Sequence, residues 1–274
     1  MIKYRRTAII KRILDFVYRT RKITPLSGSV LSSLRIRLFL LWNRDAIQTV
    51  PYLGKPVKFR GSDEQALYEV LVDDEYRFLT KILTLAPSPT IIDVGAHIGT
   101  FGIWSLGVNV NVQILSVEAD PLTCQIAKNN AKNCTPQGAN NWQVIHAAAG
   151  ANDSDVLFLS DNGPSMSHRI DSSGTIPVQS ISLKALLDKM SPGGECVDLV
   201  KIDIEGSEEA FLCADPDALQ RISSLVVEIH PTLCDTHRVQ NLLAECFDRV
   251  VSIDGRHSLK PLLYCQRDCI LPKH

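Results

Sequence analysis

The chain has 274 residues, 45% hydrophobic and 22% charged, with 29 basic against 30 acidic side chains. That composition supports a real core and excludes disordered, collagen-like and rod-like classes. A net charge of −1 supplies no global field for nucleic acid, and the length fits one large domain or two small ones.

The average hides an asymmetry. Residues 1–50 hold eleven Lys/Arg against two Asp, a net of +9, which leaves −10 for residues 51–274. Within Thr7–Lys22, Ile9, Ile13, Phe16 and Val17 recur at helical spacing, with Lys11, Arg12, Arg19 and Arg21 elsewhere, so a basic amphipathic helix is expected. Such a helix can lie on an anionic membrane surface or dock on an acidic body. Residues 24–29 (Thr-Pro-Leu-Ser-Gly-Ser) read as a break, and a second apolar-basic stretch, Val30–Trp42, follows. Its five-residue apolar run Leu38–Trp42 is far below the roughly 20 that a membrane span needs. Lys11 and Arg12 interrupt the only early apolar patch, so a secretory leader is not expected.

From about residue 64 the pattern becomes strand–helix alternation. Glu64–Leu85 reads as helical, Thr90–Val94 as a strand, Thr100–Leu106 as a helix and Val112–Val117 as the next strand. Pro121 opens a helix to about Asn133, since proline suits a first helical position, and Trp142–His146 is a strand. Residues 153–180 read as an insertion of short strands and turns. Then come helix Leu183–Lys189, strand Val197–Ile204, a helix to about Leu212, strand Leu225–Ile229, helix Asp235–Phe247 and two last strands near Val250–Ile253 and Leu262–Gln266. This alternation predicts an α/β fold with a mostly parallel sheet covered on both faces. The expected division is a basic helical segment, 1–63, and a main domain, 64–274. Eight cysteines are scattered singly, without metal-ligand spacing, which predicts reduced thiols and a cytoplasmic setting.

Ligands of open α/β sheets sit beyond the carboxyl ends of the strands. Four polar clusters fall there. Asp93 precedes a turn, Gly95-Ala96-His97-Ile98-Gly99, whose glycines permit close backbone approach. A dinucleotide turn has a glycine where His97 stands, and Asp93 would repel phosphate and attract a cationic ligand. Glu118, with Ala119 and Asp120, ends the next strand, where an acid can hold a ribose diol. Asp203 with Glu205, and Glu228 with His230, end two later strands, each pair spaced i, i+2. A near-neutral imidazole makes His230 the first candidate for general base, with Asp203 as the alternative that orients a hydroxyl or takes its proton.

Together these residues resemble a known family. Residues 91–99 look like the cofactor-binding opening of class I methyltransferases. Val117–Pro121, Asn129-Asn130, His146–Gly150, Asp198–Glu208 and Val226–His230 resemble the FkbM-type methyltransferases in order and spacing. The run Lys201–Glu208 (Lys-Ile-Asp-Ile-Glu-Gly-Ser-Glu) is the most specific element. The family usually has Asn at the position of His97, and Phe-Glu-Pro where Val117-Glu118-Ala119 stands. The resemblance implies a Rossmann-like, seven-stranded fold and S-adenosylmethionine as cofactor. It puts Asp93, Gly95, Ala96, His97 and Gly99 beside the methionine moiety, Glu118 at the ribose hydroxyls and Ala148 beside the adenine, with Ala119 also among the cofactor-binding residues. Catalysis would fall to His230, Asp203, Glu205 and Glu228, on a hydroxyl of a small molecule, glycan or lipid. The carboxylate–histidine set has donors for a divalent ion, but the same acids serve a cationic cofactor, and no metal is expected. Ser165, Ser167 and His168 are candidates for acceptor selection. A nicotinamide oxidoreductase is disfavoured by the missing glycine; a non-catalytic binding or membrane-surface protein that keeps the fold is the rival reading.

Overall fold

A computed structural model describes residues 2–160, 168–253 and 260–268, with side chains from Ile10 onward. The chain forms two compact units that divide between Arg77 and Phe78.

The first unit opens with helices α1 (Ile2–Ser27) and α2 (Val30–Trp42). The expected break is shorter than residues 24–29. Pro25 sits in the last turn of α1, where it removes little of the hydrogen-bond ladder. The reversal is left to Gly28 at φ +78°, whose N–H donates to the Thr24 carbonyl (3.0 Å). Ser29 then caps α2 by accepting from the Ser32 N–H. A hairpin that the sequence reading passed over follows: β1 (Gln48–Tyr52) and β2 (Lys55–Phe59) pair antiparallel around Leu53-Gly54. Both turn residues have positive φ, the two-residue geometry that matches strand twist. The helical run expected over Glu64–Leu85 is two helices, α3 (Glu64–Leu71) in this unit and α4 (Thr80–Leu85) in the second. Asp74, after α3, adopts φ +56°. A buried Arg37–Glu64 ion pair ties α2 to α3.

The second unit is built on seven strands in the order β12-β13-β11-β10-β3-β4-β5. The parallel members are β3 (Thr90–Val94), β4 (Gln113–Glu118), β5 (Trp142–His146), β10 (Val197–Ile202) and β11 (Ile222–Glu228). At the far edge β13 (Leu262–Gln266) runs antiparallel to both of its neighbours, β11 and the edge strand β12 (Arg249–Ile253). Four consecutive residues of β3 and four of β10 are buried, so both faces of the sheet are covered. Helices α5 (Thr100–Val108), α6 (Pro121–Cys134), α7 (Leu183–Met190), α8 (Glu208–Leu212) and α9 (Thr236–Cys246) intervene. The core gathers Ile92, Val94, Leu115, Val200, Ile202, Phe211, Leu225 and Leu243, all almost wholly shielded from solvent. The insertion forms a small sheet, β6-β9-β7-β8, from Ala148–Ala149, Ile176–Ile181, Val156–Ser160 and Arg169–Ile170. No described helix is long and apolar enough to cross a membrane.

Candidate active site

The chain runs from β3 outward to β4 and β5, then returns to the other side of β3 to form β10 and β11. The carboxyl ends of β3 and β10 therefore flank the reversal of strand order, where open sheets bind ligands. The turn leaving β3 is left-handed at three points, Gly95 (φ +77°), His97 (φ +51°) and Gly99 (φ +85°). Gly95 and Ala96 donate their N–H groups to the Val117 carbonyl (3.0 and 2.9 Å), which seats the turn on β4. The His97 N–H donates to Oε2 of Glu118 (2.8 Å), and the Asp120 N–H to its Oε1 (2.8 Å). Burial pushes the Glu118 carboxyl up, against the pull of His97 and these two N–H groups. Each oxygen keeps a second lone pair for a ligand.

Beneath the turn lies a residue to which strand-end patterning gives no role. Lys201 stands in register with Asp93 on the neighbouring strand. Its Nζ donates to the Gly95 carbonyl (3.0 Å), 3.3 Å from Asp93 and 3.9 Å from Asp203. Burial would discharge the amine, but the two carboxylates outweigh it and hold Lys201 charged. Burial likewise raises the Asp93 carboxyl, with Lys201 opposing. A lone lysine inside the apolar strand Val197–Ile202 was the available signal.

The other expected residues divide. Ala119 and Ala148 pack in a small cluster with Leu159 and Val178, and Ala148 is buried. His146 donates to the Ala119 carbonyl (3.0 Å), and His168 pairs with Asp120 (3.1 Å). Ser165 and Ser167 lie outside the described residues. Strand alternation holds for Asp203 and Glu205 only in part, because β10 ends at Ile202 and Glu205 adopts φ +48°. The turn nonetheless returns Glu205 to the cluster, its Oε2 3.2 Å from Nε2 of His230. Nε2 also lies 3.5 Å from Glu228, and Nδ1 donates to Glu208 at 2.6 Å. Lys260 joins from far along the chain, 3.0 Å from Glu205 and 3.5 Å from Glu228.

These contacts change the character expected of His230. Burial alone would lower the imidazole, but the carboxylates of Glu205 and Glu208 outweigh it and raise the ring to about 10. A ring raised in this way holds its proton more firmly than a free imidazole.

Comparison with known proteins bears on this arrangement. The Methyltransferase FkbM domain matches residues 93–250, more than half of the chain and every strand end just described. The chain belongs to the FkbM methyltransferase family. No curated protein matches this methyltransferase. Among solved structures it is similar to the precorrin-6y C5,15-methyltransferase of Geobacter metallireducens, at 14% identity over 73% of this chain and 91% of that one (TM-score 0.42). An O-methyltransferase of Bacillus cereus in complex with SAH shares 13% identity over 71% and 80% (TM-score 0.43). Human methyltransferase-like protein 13, also in complex with SAH, shares 14% over 74% and 83% (TM-score 0.44).

Proposed function

We propose that this methyltransferase transfers a methyl group from S-adenosylmethionine to a hydroxyl oxygen of a small-molecule, glycan or lipid-type acceptor. The observation that carries the reading is the left-handed turn Gly95–Gly99, with a buried acid below it and Glu118 bonded across it. The residues fit such a cofactor. Both carboxylate oxygens of Asp93 are buried and make no hydrogen bond among the described residues, although the Lys201 ammonium stands 3.3 Å away, and Gly95 and Gly99 let the turn above pack closely on the Asp203 backbone and on Trp142. An acid there suits a cationic methionine end, and Glu118 retains lone pairs for ribose hydroxyls. When bound, the cofactor supplies a methyl group made electrophilic by its sulfonium. Asp93 and the turn would border the methionine end, and Ala148 would leave room beside the adenine.

On the acceptor side, access separates the acids from the histidine. The Asp203 side chain is 30% exposed, whereas His230 is 2% exposed and set behind its carboxylates. Asp203 is thus the group within reach of an acceptor hydroxyl, orienting it and taking its proton. Assistance of this kind is worth about 10²–10⁴ in rate. Glu205 and Glu228 hold the cluster around it.

Calorimetric titration tests the cofactor first. S-adenosylmethionine should bind, NAD should not, and Glu118→Ala should weaken binding by at least about tenfold, roughly 1.4 kcal/mol. NAD binding, or no binding of either, would remove the basis of every assignment above. Labelled methyl transfer to a panel of hydroxyl and amine acceptors then tests the oxygen specificity.

A second inference concerns location. Ile10, Ile13, Leu14, Val17 and Tyr18 form an exposed stripe on α1 at i, i+3, i+4, i+7, i+8 spacing, with Lys11, Arg12 and Arg21 exposed nearby. That combination of apolar face and positive charge supports peripheral contact with an anionic membrane, which would bring the enzyme to a lipid-linked acceptor.

A further inference from the structure

One carboxylate oxygen each from Asp203 and Glu228 and one ring nitrogen of His230 lie within 4.8 Å of one another. Three features suggest that this is more than a cluster of acids. His230 is 2% exposed, yet its Nε2 has no hydrogen bond among the described residues, although it is aimed at the carboxylates of Glu205 and Glu228. Its other nitrogen, Nδ1, donates to Glu208, a carboxylate fully shielded from solvent. A buried acid behind the far nitrogen is what orients metal-bound imidazoles and fixes the tautomer that turns the near nitrogen toward an ion. Finally, carboxylates outnumber cations here. Asp93, Asp203, Glu205, Glu208 and Glu228 face Lys201, Lys260 and the imidazole.

We propose that Asp203, Glu228 and His230 bind one divalent cation, with Glu208 as a positioning residue. Two carboxylate oxygens and one imidazole nitrogen are a mixed hard and borderline donor set, which suits Mn²⁺ and its neighbours better than a thiophilic ion. The ion takes the place of the Nε2 proton, and three protein ligands leave coordination positions open to water or to an oxygen-bearing ligand. Lys260 occupies the flank, where its ammonium competes for Glu228.

Manganese titration of the full chain, followed by electron paramagnetic resonance, tests this without cofactor or acceptor. One Mn²⁺ should bind per chain, with nitrogen modulation in the pulsed spectrum from the imidazole. Asp203→Asn and His230→Gln should each weaken binding by at least about tenfold, and Glu208→Gln by about 10–100-fold. The nitrogen modulation should vanish in His230→Gln and be altered in Glu208→Gln, a change that a merely structural role would not give. Lys260→Met should strengthen binding by several-fold, and this variant guards against a loss caused only by misfolding. No uptake at millimolar metal, or uptake that all four variants leave unchanged, would overturn the proposal. Since S-adenosylmethionine binding is read separately, failure of the cofactor reading would leave this result standing.

Discussion

A Cβ built on Gly95 falls 1.8 Å from the carbonyl oxygen of Asp203, and because that obstacle is backbone, no rotamer change relieves it. The carbonyl belongs to the loop that carries the acceptor-side acids, so this one position keys the cofactor turn to the β10 end. Gly95→Ala should therefore cost more than the ~1 kcal/mol expected for the φ angle alone, read by urea unfolding, and should abolish S-adenosylmethionine binding. His97 is a gentler case. At φ +51° it occupies a region that Asn and His tolerate and β-branched residues do not. His97→Asn should hold cofactor affinity within about threefold, while His97→Val should lose about 1–3 kcal/mol of stability. The acids and glycines of the site were legible because they punctuate strand ends. Lys201 and Glu208 open and close the run Lys201–Glu208, but their roles depend on sheet register and on a contact with His230. Lys260, 55 residues from Glu205, carried no local signal at all.

At the level of elements, Asp120 starts α6 by accepting from the Thr123 N–H, with Pro121 at the first helical position. Burial raises the Asp120 carboxyl, but the Thr123 bonds and His168 outweigh it and hold it below its ordinary value. A carboxyl depressed in the folded state stabilises fully above its unfolded value of about 3.9 and loses that contribution as pH falls through the folded value. Asp120→Ala should thus cost about 1 kcal/mol at neutral pH. The gap from wild type in urea melts should close as the pH drops below about 4. A gap independent of pH would mean that the cap acts through packing rather than charge. The elements that the sequence displayed best were the central strands, whose apolar runs are bounded by glycine, proline and acids. The β1–β2 hairpin was hidden because prolines occupy both strands and Leu53 takes a positive φ. The break between α3 and α4 was hidden because Asp74 leaves the apolar periodicity of Glu64–Leu85 nearly intact.

For the whole molecule, charge and chemistry are segregated along the chain. Every residue assigned to cofactor or acceptor lies in the unit from Phe78 onward, while the basic, apolar-striped helices lie in the unit before it. Ile13 and Val17 are exposed, so charging them should leave the fold intact. Ile13→Asp with Val17→Asp should release the protein from phosphatidylserine-containing vesicles in a sedimentation assay, with unchanged thermal unfolding and unchanged S-adenosylmethionine titration. Equal sedimentation of wild type and variant would refute the membrane contact and leave the methyltransferase reading untouched. The charge asymmetry of residues 1–50 falls wholly within the unit Met1–Arg77, whose boundary follows tertiary contacts that no composition shift marks.

Strand β13 lies between β11 and β12, yet it follows both in the chain. While the polypeptide emerges from the ribosome, β12 has no neighbour to pair with until Leu262–Gln266 arrives. The β11 edge stays open for the same interval, and Ile229 waits for the Pro261 carbonyl that anchors the segment leading to His230. Assembly of the acceptor side is thereby deferred to a late event in synthesis, and a nascent chain stalled before Leu262 would expose the apolar β11 edge to chaperones.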